Sequence, residues 1–280
     1  MISCEPPPPP PWRRPGREWA VNARSALFDL YGDHLRSRGG QAPVAALVRL
    51  LAAVGIRAPA VRTAVSRMVR QGWLEPVRLP GGAGYRLTPR ASEWLDEAAQ
   101  RVYARGDRPW DGQWHLLVLG QAADRASRDR VRASLSYLGY APVGTAVWVS
   151  PRPAAGLASL LSSERLPAEQ FRASYDGDAA GLLAQAWDLD GLAAAYRQWL
   201  AWAASVSDGA GPGTPDEAVF AQRTALVHEW RKFLFSDPGL PAALLPADWP
   251  GHEAARFFRR ESARLLPAAS RFVDCCLRTC

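Results

Sequence analysis

PVAALVRLLAAVGIRAPAVRTAVSRMVRQGWLEPVRLPGGAGYRLT, residues 43–88, is the stretch on which the fold turns. Pro43 opens a helix in which Val44, Leu47, Val48, Leu50 and Leu51 make one broad apolar face, and Gly55 closes it. After that short turn a further helix is predicted from about Pro59 to Gln71, ended by Gly72. Its Val61, Val65, Met68 and Val69 fall at the spacing of a buried helical stripe. The opposite side carries Arg62, Thr63, Ser66, Arg67 and Arg70. Guanidinium and hydroxyl groups read base edges and phosphates, so this face predicts a recognition helix lying in a major groove of double-stranded operator DNA. Arginines also solubilise ordinary helices, and the next residues bear on the choice. Trp73–Leu79 has a strand pattern, Pro80–Gly84 is a flexible turn, and Tyr85–Thr88 returns as a strand. This order predicts a winged helix-turn-helix, with Arg78 and Arg86 flanking a Gly-rich tip that can approach phosphates or a minor groove.

Working outward, Arg24–Tyr31 has Leu27, Leu30 and Tyr31 at helical spacing and is followed by the turn-like Arg38-Gly39-Gly40. On the other side, Thr88-Pro89 caps a helix with Trp94, Leu95, Ala98, Val102 and Tyr103 on one side. The run Pro6–Pro11 has no backbone donors and favours a solvated polyproline helix, so residues 1–16 are expected to form a disordered tail. The expected organisation is α+β and multidomain. It comprises a winged helix-turn-helix with its connecting helix over 17–106, a ferredoxin-like central domain over 107–206 and a helical C-terminal domain over 207–280.

Charge supports the DNA reading because it is localised. Up to Pro109 there are 17 arginines against 9 acidic residues, whereas from Trp110 onward 17 basic residues face 18 acidic ones. A basic excess confined to one third of the chain attracts a polyanion through counterion release. No segment approaches the apolar run of about 18 residues that a membrane helix needs, and the N-terminus lacks the basic and apolar regions of an export signal. Cys4, Cys275, Cys276 and Cys280 sit only at the extremes, which predicts a reducing, cytoplasmic setting and no metal site.

In the middle, Trp114–Leu119 is a buried strand, Ala126–Leu138 a helix and Ala146–Val149 a second strand. Ala155–Leu161 looks helical and Phe171–Ala173 strand-like. Gly191–Ala204 is a strong helix with Leu192, Tyr196, Trp199 and Leu200 on one stripe. This alternation fits a ferredoxin-like split. CRISPR adaptation nucleases share that topology and, by resemblance, place a catalytic Asp at the end of the first strand; here that position is Gly120-Gln121. Asp124 is expected to be a helix N-cap and His115 a satisfied core histidine. Past a linker at Ser207–Gly213, Thr214-Pro215-Asp216-Glu217 predicts a capping box opening a helix to about Phe235. Asp237–Pro241 breaks it, and a Pro-rich corner through His252 leads to another helix through Arg264. Trp249 and His252 suit either a plug between helices or the wall of a ligand pocket. Arg256, Arg259 and Arg260, with Arg231 and Lys232, suit either a solvated face or a set of cations for a ligand's phosphates.

The chain has no phosphate-cradling Gly loop followed by lysine, no dinucleotide fingerprint, no Gly-flanked nucleophilic serine and no paired histidines with metal spacing. Catalytic residues and cofactors are therefore not expected. Two other readings compete: a nuclease-like enzyme of the ferredoxin fold, and a winged-helix module used only for protein contacts.

The segments LYGDHLRSRGG, VRTAVSRMVRQGWL, GYRLT, WDGQW and LPAALLPADWPGH resemble the phenylacetate-catabolon repressor family, PaaX, along nearly the whole chain. The resemblance implies a homodimeric repressor of aromatic-acid catabolic genes, released from DNA by an acyl-CoA effector, phenylacetyl-CoA in the founding members. For such an effector, the basic and aromatic cluster of Trp249, His252, Arg256, Phe257, Arg259 and Lys232 is the candidate site.

Overall fold

The computed structural model describes residues 22–103, 109–121, 124–209, 211 and 213–278. The tail expected over 1–16, together with Cys4 and Cys280, lies outside the described residues. The chain forms two compact units. Of the described residues, one unit is drawn from those within 109–196 and 233–251, the other from those within 22–103, 197–232 and 252–278.

In the latter unit, α1 (Ala23–Leu30) is capped by Asn22, whose side chain accepts from the Ser25 N–H, and continues into a wider π-type turn, Tyr31–Leu35. The strand β1 (Gln41–Pro43) precedes α2 (Val44–Ala52) and α3 (Ala58–Arg70), which carries proline in its first turn. The hairpin β2 (Leu74–Leu79) and β3 (Gly82–Leu87) leads to α4 (Pro89–Tyr103). Among the described residues these strands form an antiparallel sheet in the order β1-β3-β2. β1 was not read from the sequence, because three residues are too few for an alternation to show. Pro43 caps α2, as expected of the residue that opens it, and also lies opposite Gly84 at the end of a ladder that pairs Gln41 with Arg86. Glycine is required there, because a Cβ on Gly84 would stand 2.6 Å from the Ala42 carbonyl oxygen.

The core of this unit is continuous from α1 to the last helix. Leu27, Leu30, Leu47, Leu50, Val61 and Met68 are in one cluster with Phe220, Ala269, Val273 and Cys276. These last residues come from α9 (Asp216–Arg231) and α10 (Pro250–Arg278). The sequence suggested that α9 opens with a capping box, but Pro215 occupies the cap position, and the Thr214 hydroxyl accepts instead from the Gly211 N–H. α9 also ends at Arg231, with Lys232–Phe235 continuing as a tighter 3-10 turn. The helix expected to end near Arg264 runs on to Arg278 with Pro267 inside it. An interior proline costs about 3 kcal/mol. Beyond it Ala269, Val273 and Cys276 are essentially inaccessible, and burying a side chain the size of Val273 contributes about 1.5–3 kcal/mol, with about 0.8 kcal/mol for each further buried CH₂. Packing therefore outweighs the lost hydrogen bond.

The other unit holds β4 (Trp114–Leu119), α5 (Arg125–Tyr137), β5 (Ala141–Val143), β6 (Val147–Ser150), α6 (Leu157–Ser163) and β7 (Ala168–Ala173). Its antiparallel sheet, in the order β5-β6-β4-β7, is the βαββαβ arrangement of a ferredoxin-like split. Alternation along β4 divides the core into two layers. Leu117 packs with Val131, Leu135 and Trp148. Trp114 and Leu116 pack on the other side with Leu182 and Leu183 of α7 (Ala179–Ala186) and with Leu240. Neither β5 nor α7 was legible in the sequence. α8 (Leu189–Ser207) begins in this unit. Asp124 caps α5 by accepting from the Ser127 N–H at 2.7 Å. His115 is a core histidine, its Nδ1 at 2.7 Å from the Tyr140 hydroxyl. Among the described residues no helix is long and apolar enough to cross a membrane.

Candidate nucleic-acid interface

α3 sorts its residues as a two-sided helix must. Val61, Ala64, Val65 and Met68 are buried, while Arg62, Thr63, Ser66, Arg67 and Arg70 are exposed together along the other side. Thr63 returns its hydroxyl to the Pro59 carbonyl at 3.0 Å. Among the described residues, no carboxylate engages Arg62, Arg67 or Arg70. Three guanidinium groups thus share a helix face with two hydroxyls, a donor set suited to phosphates and to purine edges.

The hairpin turns over Pro80 and Gly81, its register running from Leu74 opposite Leu87 to Leu79 opposite Gly82. That register separates the two arginines predicted to act together. Glu75 stands opposite Arg86 and the two are ion-paired at 2.6 Å, whereas Arg78 stands opposite Ala83. Because successive side chains alternate, Arg78 projects from the face opposite to Arg86. Arg78 and Arg86 are both exposed. At the base of the hairpin Trp73 makes edge contacts with Phe28 of α1 and Trp94 of α4, at ring separations of 5.0 and 5.4 Å. The Tyr31 hydroxyl donates to the Tyr85 carbonyl at 3.0 Å. Hairpin and α3 are therefore both anchored on α1.

α1 is in turn held by buried charge that the sequence reading missed. Arg223 of α9 forks onto Asp33, Nε to Oδ2 at 2.9 Å and Nη2 to Oδ1 at 2.7 Å, and also donates to the Ser262 carbonyl. The Tyr103 hydroxyl donates to the same carboxylate. One turn earlier Asp29 meets His228 at 2.6 Å and Arg231. Burial works against charge on Asp33, but His34 and Arg223, with hydrogen bonds from Arg223 and Tyr103, outweigh it and hold the carboxyl below its usual range. Burial pushes the His34 imidazole down; Arg223 and Arg38 push the same way, against the pull of Asp33 and Asp274. The available signal was an acidic residue inside an apolar run, Asp29 among Leu27, Phe28, Leu30 and Tyr31. Its partners lie too far along the chain to be guessed.

The residues considered for an effector are divided between the two units. Trp249 is 7% exposed and packs edge-on against Tyr196 in the ferredoxin-like unit. The others belong to the helical unit. Phe257 packs edge-on against Trp199 and carries Arg260 over its ring at 4.9 Å. Lys232 is paired with Glu229, Arg256 is exposed and His252 is half-buried. Of this set, only Arg259 lines a cavity of about 720 Å³ in the helical unit, beside Arg38, Arg223, Asp33 and Tyr103. No group of His, Cys, Asp and Glu among the described residues is placed to hold a metal ion.

Comparison with known proteins bears on the whole chain. Residues 22–91 match the family described as PaaX-like protein, residues 107–179 the PaaX protein central Cas2-like domain, and residues 187–275 the PaaX-like protein C-terminal domain. The chain is similar to the transcriptional repressor PaaX of Escherichia coli, with 28% identity over 91% of this chain and 84% of that protein. In structure it is similar to the uncharacterized protein Rv0674 of Mycobacterium tuberculosis, with a TM-score of 0.60 and 26% identity, covering 92% of this chain and 99% of that one.

Proposed function

The chain belongs to the PaaX family, and from that premise we propose that it is a DNA-binding transcriptional repressor rather than an enzyme. Residues Ala23–Tyr103 act as a winged helix-turn-helix: α2 and α3 are the helix pair, α3 is the recognition helix, and β2–β3 is the wing. The observation that carries this reading is the face of α3, where Arg62, Thr63, Ser66, Arg67 and Arg70 are outward and the arginines meet no carboxylate among the described residues. Arg62 and Arg67 read bases. Arg70, Arg78 and Arg86 meet phosphates.

A homodimer on a two-fold operator follows from the same reading, since one recognition helix reads only a half-site. The regulated genes are those of phenylacetate or a related aromatic acid, and the effector is an aryl-CoA thioester such as phenylacetyl-CoA. An effector releases DNA only if it binds the DNA-incompetent state more tightly. Arg259, with Arg256, His252 and Phe257 on α10 and Lys232 just after α9, supplies cationic and aromatic groups for it.

A gel shift with the upstream DNA of the protein's own gene tests the proposal. Sequence-specific binding that phenylacetyl-CoA weakens and free phenylacetate leaves unchanged is the expected result. Absence of any preference for that DNA over random duplex at matched salt would refute the repressor reading.

A further inference from the structure

The run Pro6–Pro11, followed by Trp12, Arg13 and Arg14, is a motif that the repressor reading leaves unused. The ferredoxin-like unit has a cleft of about 540 Å³ whose walls suit it. We propose that this cleft binds the chain's own N-terminal segment, Pro6–Arg14, with the prolines against its apolar walls and the arginines against its carboxylates.

The cleft lies beside α7 and the 3-10 turn Ala242–Leu244. α7 contributes Ala180 and Ala184, one helical turn apart and exposed, and such short side chains leave the space open. Leu183, Trp187, Leu244 and Pro246 make apolar walls. Leu183 belongs to the core layer of Trp114 and Leu240, and Trp187 and Leu244 pack against that layer, so the walls are fixed before anything binds. Asp188 and Asp190 also line the cleft, past the C-terminal end of α7, and among the described residues no basic side chain does. Asp188 accepts from the Gly191 N–H with one oxygen, at 2.9 Å. Asp190 is exposed and engages no cation among the described residues. The cleft is therefore apolar along α7 and acidic at one end.

The N-terminal segment has the complementary order, apolar over Pro6–Trp12 and cationic at Arg13 and Arg14. Consecutive prolines favour the polyproline helix, and segments of that kind dock in apolar grooves with aromatic walls. At about 3.1 Å per residue, six prolines make a rod about 19 Å long. Its carbonyls have no donor within the rod, and the Trp187 indole N–H, which meets no acceptor among the described residues, is a donor for one of them. All of the segment precedes Asn22, where the described residues begin. The contact does not depend on the repressor reading.

Trypsin acting on the full chain reads the contact, because cleavage of a segment that docks and releases tracks the population of the released form. The Arg13–Arg14 bond is expected to be cut at least about fivefold more slowly in the parent than in a chain carrying Pro7→Ser, Pro8→Ser and Pro9→Ser. Ala184→Gln fills the cleft and Asp190→Asn removes a charge; both are exposed positions, and both variants are expected to lose most of the protection at an unchanged melting temperature. Glu253→Gln, exposed in the helical unit, is expected to keep it. In calorimetry, a peptide of residues 5–15 is expected to bind the chain with the three proline changes, and to bind at least about tenfold more weakly when Ala184→Gln is added. The assignment is overturned if the parent is cut as fast as the chain with the three proline changes, if protection survives both Ala184→Gln and Asp190→Asn, or if the peptide fails to bind. Protection that grows with protein concentration and is lost in both cleft variants is the same contact made between two copies, and upholds the assignment.

Discussion

Asp33 and Arg223 stand 190 residues apart in the chain and form a two-pronged ion pair, with side chains only 5% and 4% exposed. The pair fastens the turn after α1 to α9. Since α1 also supports α3 and the hairpin, the geometry of the arginine face depends on a buried carboxylate that lies outside it.

Removing one partner of this pair leaves the other buried and uncompensated. Arg223→Ala or Asp33→Ala is expected to cost about 3–5 kcal/mol, while the double change Asp33→Leu with Arg223→Leu is expected to cost less than the two single changes summed. Urea unfolding followed by tryptophan fluorescence measures this. Strictly additive losses would mean that the two residues act independently.

Acid should weaken the same region. Folding lowers the Asp33 carboxyl, so its contribution is present above the ordinary carboxylate value and is lost as pH falls through the depressed one. His34 is buried and also lowered, so the folded state prefers it neutral. Its contribution is full above its ordinary 6.5 and fades as pH drops below that. The melting temperature is expected to fall between pH 7 and pH 5.5, on the order of the change a single histidine makes, and His34→Gln should flatten that part of the curve. An unchanged slope in the variant would remove His34 from the account.

On the cognate operator, Arg62→Ala or Arg67→Ala is expected to cost about 1–3 kcal/mol if the contact is bidentate to guanine. Non-specific binding should fall less. Titrations of cognate and scrambled duplex at one salt concentration decide it, and equal losses on both would turn these residues into phosphate contacts.

Arg78→Ala is expected to weaken binding across sequences and to reduce the salt dependence by about one ion. Arg86 lies on the other face of the hairpin and is paired with Glu75. Its replacement should flatten the dependence less, and Glu75→Gln should strengthen binding by freeing it. Salt titrations of the three variants check the order, and identical slopes would make the hairpin purely structural.

Gly84→Ala tests the close approach of β1 to the hairpin. The added methyl would press on the Ala42 carbonyl and on Leu79, and a loss of about 1–3 kcal/mol is expected from such overpacking. Thermal unfolding indistinguishable from the parent would show that β1 yields freely.

Local pattern in the sequence was enough for much of this protein. The stripe of Val61, Val65 and Met68 specified α3 and, by exclusion, which residues face outward, because a helix repeats every 3.6 residues whatever surrounds it. Alternation and turn residues gave the hairpin, and Asp124 announced its own role as a cap. Other features were decided only by contacts between distant segments. β1 exists because Gln41–Pro43 finds the edge of β3. α10 passes Pro267 because the residues beyond it are needed in a core shared with α1–α3. Asp33, Arg223 and His228 read in sequence like any surface charge, and only Asp29 stands out, inside an apolar run. What distinguishes them is burial and a partner, and in a chain this long those are properties of the folded arrangement, since a buried carboxylate is tolerated only where another segment brings the countercharge to it.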